Sequence, residues 1–121
     1  MEGPHVRPDD AAELEVVLRE AVASGVDVVL TTGGTGLSPT DVTPEATRAV
    51  LEREAPGIAD AVRRYGEPKV PTSVLSRGIA GTSGGTLVVN LPGSTGGVRD
   101  ALAVLGPLLP HVVSQLRGGD H

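Results

Sequence analysis

Apolar positions along the chain switch between short continuous runs and stretches recurring every three or four residues, the signature of strands alternating with helices. Leu14, Val17, Leu18, Ala21 and Val22 share one helical face; Asp10 with Glu13 three residues on has capping-box spacing to start that helix, and Gly25 is placed to stop it. The β-branched run Val26-Asp27-Val28-Val29-Leu30-Thr31 predicts a strand buried on both faces. A second helix is expected with Thr43 as N-cap and Pro44 as its first residue, pausing near Pro56 and Gly57 before a short apolar face at Ile58, Val62 and Tyr65. Ser73 to Ser76 reads as one helical turn, and residues 78–82 and 86–91 flank Ser83-Gly84-Gly85 as a β-hairpin. The remainder, from Val98 to Leu116, predicts two packed helical segments broken or bent at Pro107 or Pro110.

Helix following strand in this way predicts an α/β domain. At 121 residues and 39% apolar composition the chain can bury one hydrophobic core, so a single domain over residues 1–121 is expected. Tyr65 is its only aromatic residue, which leaves Leu, Val, Ile and Ala to build the core and argues against recognition of bases by stacking. The formal net charge is −5 and only Arg63 and Arg64 are adjacent cations, so nucleic acid is not an expected partner. The absence of cysteine rules out disulfides, thiolate metal sites and a cysteine nucleophile within the chain. No stretch approaches the roughly 20 continuous apolar residues of a membrane span. The expectation is a cytoplasmic protein with no membrane partner.

Two loops carry candidate chemistry. Thr31-Thr32-Gly33-Gly34-Thr35-Gly36 lies between a predicted strand and a predicted helix. Glycines there let backbone amides close on a phosphate while the threonines add hydroxyls; a tight strand-to-helix turn would need the same glycines. The loop lacks the Lys-Ser/Thr ending of a Walker motif and the spacing of a dinucleotide fingerprint. Within Ser38-Pro39-Thr40-Asp41, the Asp41 carboxylate is placed either to hold Mg²⁺ against phosphate oxygens or to close an Asx turn. Asp9 and Asp10 follow an extended stretch at residues 4–8 and either reach the same sheet edge or cap the first helix. The second loop, Asn90-Leu91-Pro92-Gly93-Ser94-Thr95-Gly96-Gly97, is a further polar pocket wall or a glycine-rich helix entry. His5, His111 and His121 have no metal-ligand spacing, and Arg77 is either an anion contact or a solvated surface arginine.

Residues 27–46, the stretch Val70-Pro71-Thr72-Ser73-Val74-Leu75-Ser76-Arg77 and the loop from Asn90 to Ser94, taken together in order and spacing, resemble the MoaB/Mog molybdopterin-binding family along nearly the whole chain. The resemblance implies a three-layer α/β/α fold with a mostly parallel sheet carrying one antiparallel hairpin, and assembly as a homotrimer or homohexamer. It implies a part in molybdenum-cofactor biosynthesis, as a nucleotidyltransferase moving AMP from Mg·ATP to molybdopterin with release of pyrophosphate. The phosphate, molybdopterin and ATP contacts would then be Thr31, Thr32, Gly33, Gly34, Thr35, Gly36, Ser38, Asn90, Pro92, Gly93 and Ser94. Asp9 and Asp41 would be the catalytic carboxylates and would orient Mg²⁺. Family members begin with a further strand ending in a Ser-Asp-Arg type motif and a helix, whereas this chain starts beyond them, near Gly3-Pro4-His5-Val6. An N-terminally truncated domain is therefore expected, and a non-catalytic binding module or an inactive subunit stay open beside the enzyme.

Overall fold

The computed structural model describes residues 10–119, so the extended stretch expected at residues 4–8 and the candidate Asp9 lie outside the described residues. The first helix, α1 (Ala11–Ala23), starts where the capping pattern places it: the Asp10 carboxylate accepts hydrogen bonds from the Ala12 and Glu13 amides at 2.9 and 3.2 Å. Gly25, at φ +83°, turns the chain into β1 (Val28–Thr32). After a long loop come α2 (Thr43–Val50), β2 (Arg53–Glu54) and α3 (Pro56–Gly66). A 3₁₀ turn (Pro71–Leu75), the hairpin of β3 (Ala80–Ser83) and β4 (Thr86–Leu91), and α4 (Thr95–Leu116) complete the described elements.

The four strands form one sheet in the order β1-β4-β3-β2. Only β1 and β4 run parallel; β4 with β3 and β3 with β2 are antiparallel. The described sheet is thus mixed, more antiparallel than the expected mostly parallel arrangement: the tight β3–β4 turn makes one antiparallel pair, and β2, joined to β3 through α3 and the 3₁₀ turn, adds a second on the far side of β3. Helices cover both faces, giving the three layers expected. Leu87, Val89 and Leu91 of β4 point to α3 and α4, where they pack with Ala59, Val62, Ala101 and Leu105; Val88 points the other way, to Leu18 of α1 and Val50 of α2.

Four local expectations are corrected. β1 is not buried on both faces: among the described residues it pairs on one side only, and Leu30 is 37% exposed. The helix begun near Pro44 does not run on towards Pro56; it ends at Val50, and Arg53–Glu54 adds a short edge strand that two exposed charged residues gave no pattern to reveal. Val42, not Thr43, is the N-cap of α2, with no side-chain cap bond. Finally, α4 is one helix of 22 residues containing both Pro107 and Pro110. Each proline frees the carbonyl four residues back, at Ala103 and Gly106, and both of those positions are exposed, so water can take over the lost bonds. Leu105, Leu109, Val112 and Leu116 keep both halves on the same sheet face.

Candidate functional site

Because β1 and β4 are parallel, with Thr32 opposite Leu91, both deliver the chain to the same sheet edge. One loop leaves β1 at Gly33 and the other leaves β4 at Pro92, and they touch. The Gly33 amide donates to the Leu91 carbonyl at 3.0 Å, and a Cβ on Gly93 would stand only 3.3 Å from Gly33 Cα. Glycine at 93 leaves room for that approach, while at 33 it is the φ of +84° that calls for glycine. The sheet thus joins the two glycine loops that are far apart in sequence, at the carboxyl end of parallel strands where ligands of open α/β sheets bind.

The first loop has a one-sided polarity. Five of its carbonyl oxygens are taken: Gly34 accepts from the Thr43 amide (3.1 Å), Thr35 from the Arg77 amide (2.7 Å), Gly36 from Arg77 Nε (2.8 Å), Ser38 from the Asp41 amide (2.9 Å) and Asp41 from Arg77 Nη2 (2.7 Å). Among the described residues, the successive amides of Gly34, Thr35, Gly36 and Leu37 have no acceptor. Gly33 and Gly34 both have positive φ, +84° and +69°, and such successive turns gather N–H groups into a concave anion-binding nest. Gly34 is pressed against α2 as well, since a Cβ there would collide with Thr43 Oγ1.

Asp41 closes no Asx turn, which would need the amide two residues on; one carboxylate oxygen instead reaches back to accept the Ser38 amide at 3.0 Å, and its other oxygen has no partner among the described residues. Ser38 Oγ lies 3.1 Å from Thr40 Oγ1, knitting the loop tip. No three His, Asp or Glu side chains gather as a metal-ligand cluster among the described residues. Asn90 points inward rather than to the loops. Its Oδ1 accepts the Ile79 amide at 3.1 Å, and its Nδ2 donates to Thr31 Oγ1 and Thr47 Oγ1, each at 2.9 Å. That buried amide ties β1, α2 and β3 behind the site, and Thr31 is drawn into the same network. In the second loop Ser94 caps α4, its Oγ accepting the Gly97 amide at 3.0 Å, while Pro92 packs so close to Gly97 that a Cβ there would lie 2.8 Å from the proline ring. Thr32 lies exposed at the strand end.

Between the first loop, α3, the 3₁₀ turn and the first turns of α4 lies a cleft of about 240 Å³. Thr35, Ser73 and Ser76 give it hydroxyls, Gly97 gives it helix-terminal backbone, and Ala59, Val62 and Val70 give it an apolar wall. Ser76 Oγ lies 3.4 Å from Thr35 Oγ1, and Arg63 holds the far side by donating to the Ser76 and Gly78 carbonyls at 3.3 and 2.8 Å. Lys69 bridges to Asp100 at 3.0 Å and lies over the Tyr65 ring; the Asp100 hydrogen bond raises the lysine pKa above its ordinary value. The sequence reading left Ser73 and Ser76 without a stated role and Arg77 undecided. Arg77 is neither a solvated arginine nor open to an anion, since its guanidinium is spent on two loop carbonyls and on Glu45, at 2.5 and 3.3 Å. That pairing holds the Glu45 carboxyl below its ordinary pKa.

Comparison with known proteins agrees with this architecture. Residues 1–111 match the family described as a probable molybdopterin binding domain. A molybdenum cofactor biosynthesis bifunctional protein of Chlorobaculum tepidum is 37% identical over 96% of this chain, and a molybdopterin adenylyltransferase of Helicobacter pylori is 40% identical over 76% of it. The chain spans 37% of the first of these relatives and 52% of the second. The structure of the molybdopterin biosynthesis Mog protein from Mycobacterium ulcerans superposes with a TM-score of 0.86 at 57% identity, covering 88% of this chain and 70% of that one. With the family match running over nearly its whole length and the fold superposing on that of the Mog protein, this chain belongs to the molybdopterin binding domain family.

Proposed function

We propose that the chain acts in molybdenum-cofactor biosynthesis as a molybdopterin adenylyltransferase, joining AMP from Mg·ATP to the terminal phosphate of molybdopterin. An oxygen of that phosphate attacks the α-phosphorus of ATP, the bond to the β-phosphate breaks, and pyrophosphate leaves. The observation that carries this reading is the polarity of the first glycine loop, four open amides in a row with five carbonyls tied back. Such a surface suits phosphate oxygens, and phosphoryl-type transfer depends mainly on alignment and charge neutralisation. The names of the relatives from Helicobacter pylori and Chlorobaculum tepidum point the same way.

Each part of the site then has a task. The Gly34 to Leu37 amides receive phosphate oxygens, Thr35 and Ser76 add hydroxyls at the mouth of the cleft, and the cleft's apolar wall excludes water from the ring system of the pterin. Gly33 and Gly93 keep the two loops close enough to address both substrates at once. The free oxygen of Asp41 fits Mg²⁺, which commonly takes one or two carboxylates and completes its shell with phosphate oxygens and water; the ion would neutralise charge on the phosphates. Asp9 is the second carboxylate we propose for it.

The test is pyrophosphate release from Mg·ATP with and without molybdopterin, on the wild-type chain and on Asp41→Asn. Release that requires molybdopterin and drops about a hundredfold in the variant, with molybdopterin still bound, is the expected result. Binding of molybdopterin without any release would make the domain a binding module.

A further inference from the structure

We propose that Arg77 is a positioning residue for the first glycine loop: it occupies carbonyl oxygens of the loop so that the loop's amides stay turned towards an anionic ligand. This rests on reading that loop as a phosphate cradle. A glycine-rich loop is cheap to deform, and each peptide unit that flips offers a ligand a carbonyl in place of an amide, repelling the anion it should bind. Something must hold the peptide planes, and the loop's own side chains do this only at its tip, through Asp41 and Ser38. The Thr43 amide holds the Gly34 carbonyl, and the rest of the control comes from one residue 36 to 42 positions away in the chain, between β-hairpin and 3₁₀ turn. Its backbone N–H takes the Thr35 carbonyl, its Nε the Gly36 carbonyl and its Nη2 the Asp41 carbonyl.

Arginine is required by the geometry. The two side-chain bonds to carbonyls leave from different nitrogens of one rigid plane, while the remaining edge meets Glu45 on the first turn of α2. A lysine ammonium is a single centre and cannot span Gly36 and Asp41 while also meeting Glu45. Glu45 neutralises the guanidinium, so the pair adds little net charge to the site and acts through shape rather than through a positive field. This sets Arg77 apart from Arg48, an exposed α2 arginine of the same charge whose guanidinium pairs with Glu54.

The experiment uses the full chain with inorganic pyrophosphate as the probe, comparing wild type, Arg77→Lys, Arg77→Ala and the charge control Arg48→Ala. Affinity is read by calorimetry, and amide hydrogen exchange is followed at Gly34 to Leu37. We expect both Arg77 variants to bind pyrophosphate about tenfold or more weakly, with faster exchange confined to the loop, and Arg48→Ala to bind like wild type. Ethylguanidinium, added below denaturing concentration, should restore part of the affinity of Arg77→Ala, because it can refill the space between the two carbonyls. If Arg77→Ala fails to fold, Arg77→Lys decides. Wild-type affinity in the Arg77 variants, or an equal loss in Arg48→Ala, overturns the inference alone. A wild-type chain that takes no pyrophosphate overturns the cradle reading itself, and the inference with it.

Discussion

The two glycine loops lie side by side at one sheet edge yet are stabilised in opposite ways. The second is held locally: Ser94 caps the helix that follows it, and Pro92 packs on Gly97 within the same eight residues. The first is held from outside, by the Thr43 amide of α2 and by Arg77, and its tightest position, Gly34, touches another element rather than its own neighbours. A locally held loop tolerates change inside it as long as the helix start survives. A loop braced from outside is only as well formed as its contacts with α2 and the segment before β3. The difference explains why glycines that look equivalent in sequence have unequal duties.

Substituting glycines in the two loops gives the largest contrast. In Gly34→Val the added atoms meet Thr43 Oγ1 and Cβ, and a β-branched residue must take φ +69°. We expect a loss of roughly 3 kcal/mol or more of folding stability, seen as a lower denaturant midpoint. In Gly96→Ala, on the first turn of α4, the new Cβ meets nothing within 4 Å and φ is not positive. Stability should be unchanged or higher by a few tenths of a kcal/mol, from better helix propensity. Equal losses in the two variants would remove the distinction between the loops.

The support behind the loops is next in size. Asn90→Ala removes the acceptor of the buried Ile79 amide and both bonds that hold Thr31 and Thr47, so about 2–3 kcal/mol of stability should go. Since the side chain faces away from the loops, pyrophosphate affinity of the folded fraction should change far less than in a loop variant. A variant of full stability that no longer binds would place Asn90 in the ligand site instead of behind it.

The same contrast governs what could be read from the sequence. Helices α1 and α3, β1 and the β3–β4 hairpin follow from apolar period and turn residues, because their determinants lie within a few positions of one another. The capping role of Asp10 was legible for that reason. β2 was not, being two charged edge residues recruited by pairing with β3, and neither was the continuity of α4 through two prolines, which depends on which side of the helix meets water. In the site, both glycine loops and Asp41 were visible as composition, whereas the inward turn of Asn90 and the grip of Arg77 on the first loop come from contacts spanning 30 to 60 positions that one sequence does not encode locally.

Loss of the local cap in the second loop should cost less than Gly34→Val or Asn90→Ala. Ser94→Ala leaves the Gly97 amide without its side-chain acceptor at an exposed helix end where water can replace it, so about 1 kcal/mol is expected, with exchange faster only in the first turn of α4. Faster exchange spreading into the first loop would show that the contact between Gly33 and Gly93 couples the two, and the loops would then count as one unit.

The smallest effect concerns the outer end of the brace. The hydrogen bond from Arg77 holds the Glu45 carboxyl below its ordinary value, so the folded state binds that proton more weakly than the unfolded chain does. Stability from the pair is therefore complete above the unfolded glutamate value of about 4.3, and is lost as pH falls through the lower folded value. Glu45 is half exposed, and solvent screens much of the interaction. The advantage of wild type over Glu45→Gln should be small at pH 7 and should disappear well below pH 4.3, measured as paired urea midpoints across that range. An advantage that persists unchanged in acid would mean that the charge of Glu45 contributes nothing, and that the brace rests on the two carbonyl bonds of Arg77 alone.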